Sequence, residues 1–167
     1  MQENAMALGD AISRWEHRPT VQQRTGMRHA LSRLLDDLAP ETMPKRGAPP
    51  PATAVQRFRS PHGCILQGSA GAVSVSWFPA AEQAHEHGEL VVIAWRGVVS
   101  QPGSAHRARH GATMLAELSL RPVEVEPTVW AWMGADAVVY DGETLAARCR
   151  DLLDQPAAAD VTTTAGA

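Results

Sequence analysis

Seven histidines are spread unevenly along the chain. His85 and His87 form the motif HEHGE with Glu86 and Glu89, and His106 and His110 form HRARH. Imidazole nitrogen and carboxylate oxygen are common ligands of zinc, iron, manganese and nickel, and a site needs three or four of them converging. In an extended segment His85 and His87 point to one side. His85, His87, Glu89, His106 and His110 are therefore the candidate ligands of a divalent metal. The two motifs flank the apolar run 90–99, so they meet only if that strand's outgoing loop folds back. A simpler reading of Pro79–Gly88 is a short helix with proline near its start and Gly88 just past its end. Histidines in a last helical turn are favoured by the helix dipole without any ligand. On that reading no cofactor is expected.

Trp130 and Trp132 stand two residues apart, so on a strand they share a face. Aromatic faces on a sheet can stack a planar ligand, and Arg96 or the HRARH loop could hold an anionic group beside it. Trp130, Trp132 and Arg96 are the candidate ligand-binding residues. Tryptophan also buries much area per residue, so the same rings, with Trp77 and Trp95, suit the core of a sheet poor in Phe and Tyr. Cys64 follows His62 and could be a nucleophile beside a base. It also opens the apolar run Cys64-Ile65-Leu66, where a cysteine is commonly just buried. No Gly-x-Ser-x-Gly is present, and Gly68-Ser-Ala-Gly71 lacks the Lys-Ser/Thr of a phosphate loop.

Several elements must position these residues. Leu8, Ala11, Ile12 and Trp15 make one apolar stripe at helical spacing, stopped by Pro19. Thr20 with Gln23 matches a capping box, and Met27, Ala30, Leu31, Leu34, Leu35 and Leu38 follow on one helical face. The two helices are about equal in length and could form a hairpin or one kinked helix. Residues 40–54 open with five of the twelve prolines, a semi-extended linker. After it, Val73, Val75 and Trp77 alternate with serines, and Gly68–Gly71 joins them to Cys64–Leu66 as a hairpin. Leu90–Val99 is apolar on both faces and suits a central strand. Met114–Leu120 and Val123–Val125 alternate on either side of Pro122. Val129–Met133 and Val138–Tyr140 suggest a second hairpin. Asp141 can cap a last helix whose Leu145, Cys149, Leu152 and Leu153 share a face.

Consecutive strands with short turns pair antiparallel, and the terminal helices must cover one face. The expected fold is α+β: helical segment 1–39, Pro-rich linker 40–54, a domain over 55–154 with a meander of five or six strands and a C-terminal helix, and a disordered tail 155–167.

Composition narrows the function classes. The chain has 167 residues, 44% of them hydrophobic, and a net charge of −3. No 18-residue apolar run exists, so no membrane helix is expected. The start lacks the basic and apolar regions of a secretory signal. Two distant cysteines argue against a disulfide scaffold or zinc knuckle. Arginine outnumbers lysine 14 to 1, alongside abundant Ala, Gly and Pro, as GC-rich bacterial codon usage gives. Residues 111–167 carry a net −6, which disfavours nucleic acid, whose binding is dominated by phosphate neutralisation. The expectation is a small cytosolic, non-enzymatic interaction or assembly domain with a protein partner or self-association. The alternative is a metal-dependent small-molecule-binding protein or enzyme built on His85 and His87.

Overall fold

The computed structural model describes residues 18–38, 55–82, 84–99 and 112–160, with the backbone alone for 155–160. Helix α1 spans Val21–Asp37, and seven strands follow: β1 (Gln56–Ser60), β2 (Gly63–Gln67), β3 (Gly71–Pro79), β4 (Gly88–Arg96), β5 (Thr113–Glu126), β6 (Val129–Gly134) and β7 (Val139–Tyr140). Helix α2 (Gly142–Asp160) ends the described chain. The strands form one antiparallel sheet in sequence order, β1 to β7. This is the expected α+β meander, with short edge strands bringing the number to seven.

The capping box forms as the sequence predicts. Gln23 N donates to Thr20 Oγ1 at 3.2 Å, and Thr20 N donates to Gln23 Oε1 at 3.0 Å. The stripe that follows buries Met27, Leu31, Leu34, Leu35 and Leu38. At the other end of α1, Arg57 Nη2 on β1 donates to Leu35 O at 2.6 Å, and Arg59 Nε meets Asp36 Oδ1 at 3.2 Å. Cations at a helix C-terminus satisfy its orphan carbonyls and oppose its dipole. These two arginines therefore fasten α1 to the edge of the sheet.

Alternation does the rest. Pairing aligns Cys64, Val75, Val92 and Leu118 in one row across β2–β5, and Leu66, Val73, Ala94 and Ala116 in the next. Trp77, Leu90 and Leu120 make a third row. These side chains meet α1 and Leu145, Ala146, Cys149 and Leu152 of α2 in one core, which also takes in Trp130 and Trp132. Trp77 and Trp132 pack edge to face, centroids 6.1 Å apart. Trp95, also expected in the core, is half-buried and donates from Nε1 to Ser74 Oγ at 2.9 Å.

Three local readings change. Pro122 does not split a strand: β5 runs through it, because the pairing with β4 ends at Leu120 and leaves one side of β5 open there. Proline lacks only a donor that such an edge does not use. Pro79–Gly88 is not a helix; among its described residues the backbone turns and bends from the end of β3 into β4. Helix α2 continues through Asp160, six residues into the stretch read as a disordered tail, and runs through Pro156, which has no amide to donate to Leu152 O. Residues 1–17 and 161–167, and most of the linker, lie outside the described residues.

Candidate functional site

A second face of α1 shapes an open recess. Gln22, Gly26, His29, Arg33 and Asp37 recur at intervals of three or four and so line one side of the helix. The first turns of α2, with Glu143, Ala146 and Arg150, form the opposite wall. Trp130 and Trp132 lie at the floor between them. The result is an open groove of about 960 Å³. Its rim carries both signs of charge: Arg33 and Arg150 against Asp37, Asp141 and Glu143. Asp141 caps α2 by accepting from Thr144 N at 2.7 Å. Those hydrogen bonds hold its carboxyl below the usual carboxylate range, so it stays charged.

Trp130 is the residue on which this region turns. It is 8% exposed, and its Nε1 is buried with no hydrogen-bond partner among the described residues. Gly26 permits the approach of α1, since a Cβ there would lie 3.0 Å from Trp130 Nε1. On its other side the indole meets the His87 ring edge-on, centroids 4.8 Å apart. Two bonds hold α1 over this contact. Gln23 Nε2 donates to Glu124 Oε2 at 2.9 Å, and Arg24 Nη2 donates to Glu82 O at 2.6 Å. Burial, then the positive charge of Arg24, pushes the His87 pKa down, with Glu124 opposing. Its imidazole is therefore neutral near neutral pH.

HEHGE is thus spread over two environments. His85 is exposed, while His87 packs on Trp130 with its Nδ1 buried. Glu89 lies outside and its carboxylate accepts from Ser119 Oγ. His106 and His110 fall outside the described residues. Among the described residues no three His, Cys, Asp or Glu side chains come together to hold a metal. Gly88 takes φ +133°, a conformation reserved for glycine, and a Cβ there would sit 2.8 Å from Trp77 Cζ2.

The two tryptophans share a face, as expected, but Arg96 does not join them. It ends β4 eight residues beyond Gly88, roughly 26 Å along the strand. Cys64 points into the core, and burial raises its pKa despite the hydrogen bond and charge of Arg57. Burial pushes Cys149 up to about 12. Both are free, protonated thiols, and His62 lies exposed in the β1–β2 turn, so Cys64 lacks the features of an activated nucleophile.

The sequence reading missed His29, Arg33 and Arg150. The signal was the recurrence of Gln22, Gly26, His29, Arg33 and Asp37 at three- and four-residue intervals, which puts them on one side of α1 beside the apolar stripe. Comparison with protein-family models, curated proteins and solved structures finds no match for this chain.

Proposed function

We propose that the chain is a non-enzymatic protein-interaction domain, and that the groove between α1 and α2 receives an amphipathic helix of a protein partner. The observation that carries this is the groove itself: two helical walls, a base closed by the buried rings of Trp130 and Trp132, and a rim of mixed charge. A helix laid along such a groove packs its apolar face on the part-exposed small residues of the α1 wall, Gly26 and Ala30, and matches its flanking charges to the rim. Tryptophan and arginine are the residue types that most often dominate binding energy at protein interfaces. Neither Arg33 nor Arg150 makes an ion pair within the described residues, which leaves both for a partner. Among the described residues no helix is long and apolar enough to cross a membrane. Two free buried cysteines fit a reducing compartment, and the proposal places the domain in the cytosol.

Selection of helical peptides from a displayed library on the immobilised full chain tests this. Enriched sequences are expected to carry apolar residues at i, i+3, i+4 and i+7. Their affinity is expected to fall at least about tenfold, or 1.4 kcal/mol, in a chain carrying both Arg33→Glu and Arg150→Glu with an unchanged thermal midpoint. No enrichment of such peptides, or equal binding to the double variant, overturns the reading.

A further inference from the structure

We infer that the groove reads the order of charge along its partner: it takes a helix with acidic residues in its N-terminal half and a basic residue about one turn further on, lying parallel to α1. This rests on the reading of the groove as a helix-binding slot and names the chemistry of the helix it takes.

Charge is sorted along the groove. Asp37 ends α1, and Gly142 opens α2 close beside it: a Cβ on Gly142 would lie 3.9 Å from Asp37 Oδ2. Asp141 and Glu143 flank that glycine, so three carboxylates gather at one end of the groove. Arg33 lies one turn back along α1, about 6 Å from Asp37 at the rise of a helix, and Arg150 lies two turns on along α2, about 10 Å from Glu143. Both walls thus pass from acid to base in moving away from the same end. Asp141 is engaged as the cap of α2. Arg33, Asp37, Glu143 and Arg150 make no side-chain hydrogen bond or ion pair among the described residues.

A helix laid between the walls meets that pattern with three side chains. A basic one belongs beside Asp37 and Glu143, and acidic ones belong beside Arg33 and Arg150, roughly four and seven residues away. Those spacings keep all three on one helical face. Either chain direction can present such a set, and the partner's own stability decides between them. Glutamate four residues before lysine stabilises a helix more than the reverse order, and acidic residues near the start with basic ones near the end oppose the helix dipole. That order points the partner's N-terminus towards Gln22, so it runs the same way as α1. Gly26 and Ala30, small and part-exposed, leave room for it along the α1 wall. Exchanging the charges sets like against like at both ends, which adds repulsion to the lost attraction.

The test uses the full chain and two synthetic helical peptides that share one apolar stripe and one composition, Glu-first and Lys-first, with the acidic and basic positions exchanged. Fluorescence anisotropy is expected to show at least about tenfold tighter binding of the Glu-first peptide, with the gap closing in about 1 M salt. Arg33→Asp with Asp37→Arg swaps the charges of two exposed residues at constant net charge, and there the gap is expected to fall below about threefold. The matching exchange on α2, Glu143→Arg with Arg150→Glu, is expected to do the same. A spin label on the N-terminus of the Glu-first peptide is expected to broaden the Gln22 and Gly26 amides, and one on its C-terminus the Asp37 and Glu143 amides. Equal affinities, tighter binding of the Lys-first peptide, no binding of either, an unchanged gap in both swapped chains, or the opposite pattern of broadening overturns the inference. If library selection then still enriches helical peptides that lose affinity in the Arg33→Glu, Arg150→Glu chain, the inference fails and the groove reading stands. If it enriches none, both fail.

Discussion

Gly88→Ala is the substitution whose cost the geometry sets most sharply. At φ +133° an L side chain is strained, at about 1–3 kcal/mol. The added Cβ would also lie 2.3 Å from Phe78 O, 2.8 Å from Trp77 Cζ2 and 2.9 Å from Ala80 N. Two of these are backbone atoms of the paired strand and its exit, and the third belongs to a ring wedged against Trp132. Overpacking of this kind costs about another 1–3 kcal/mol. The total, about 2–6 kcal/mol, is a large part of the roughly 5–15 kcal/mol that holds a domain together. His85→Ala, three residues earlier and exposed, is expected to change stability by less than about 0.5 kcal/mol. Urea unfolding followed by tryptophan fluorescence compares the two variants with the parent chain. A Gly88→Ala midpoint within error of the parent would refute the claim that this glycine seats the start of β4 between Phe78 and Trp77.

Other expectations follow from the same contacts. The Cys149 thiol, held up to about 12, stays protonated in the fold while the unfolded chain ionises from roughly 8.5. Stability is therefore expected to fall as pH rises from 9 towards 12, and less steeply in Cys149→Ala, by alkaline denaturation curves. His87 is the opposite case. Its lowered pKa means that the unfolded chain takes up the proton first, so stability is lost as pH falls below about 6.5. His87→Phe keeps a ring on Trp130, and between pH 7 and 5 it is expected to lose less stability than the parent; an equal loss contradicts the assignment. Asp141→Ala removes the α2 cap and is expected to cost about 1 kcal/mol in thermal unfolding at pH 7. The native chain is expected to leave both cysteines unmodified by a thiol reagent until it unfolds, because each is buried in the core.

The elements governed by local rules were legible. Thr20 and Gln23 announce α1, the Met27–Leu38 stripe gives its buried face, and Asp141 announces α2. Alternation over 73–77 gives a strand whose inner residues are those found buried; over 114–120 only Leu120 is fully buried and Met114 is exposed, because a bulge between Ala94 and Trp95 shifts the pairing of β4 with β5 there. What escaped was set by neighbours. Whether Pro122 breaks a strand depends on where β4 stops. Whether Pro79–Gly88 coils or turns depends on the tight space Gly88 must enter beside Trp77. For the site, the shared face of Trp130 and Trp132 followed from a spacing of two, but Arg96 lies at the wrong end of β4, a length no motif reveals. His87 drew attention as a ligand, while the contact the structure gives it is the edge of Trp130. Arg33 and Arg150 come from opposite ends of the described chain. Their shared groove exists only once both helices lie on the same face of the sheet.

The central claim is that the slot between α1 and α2 holds a helix. Amide and indole signals of the full chain, followed while a selected amphipathic peptide is added, test it most directly. The account predicts shifts confined to Gly26, His29, Arg33, Arg150 and the Trp130 indole, moving together to saturation. Shifts centred instead on Phe58, Ile93 and Trp95, or none at saturating peptide, would contradict it.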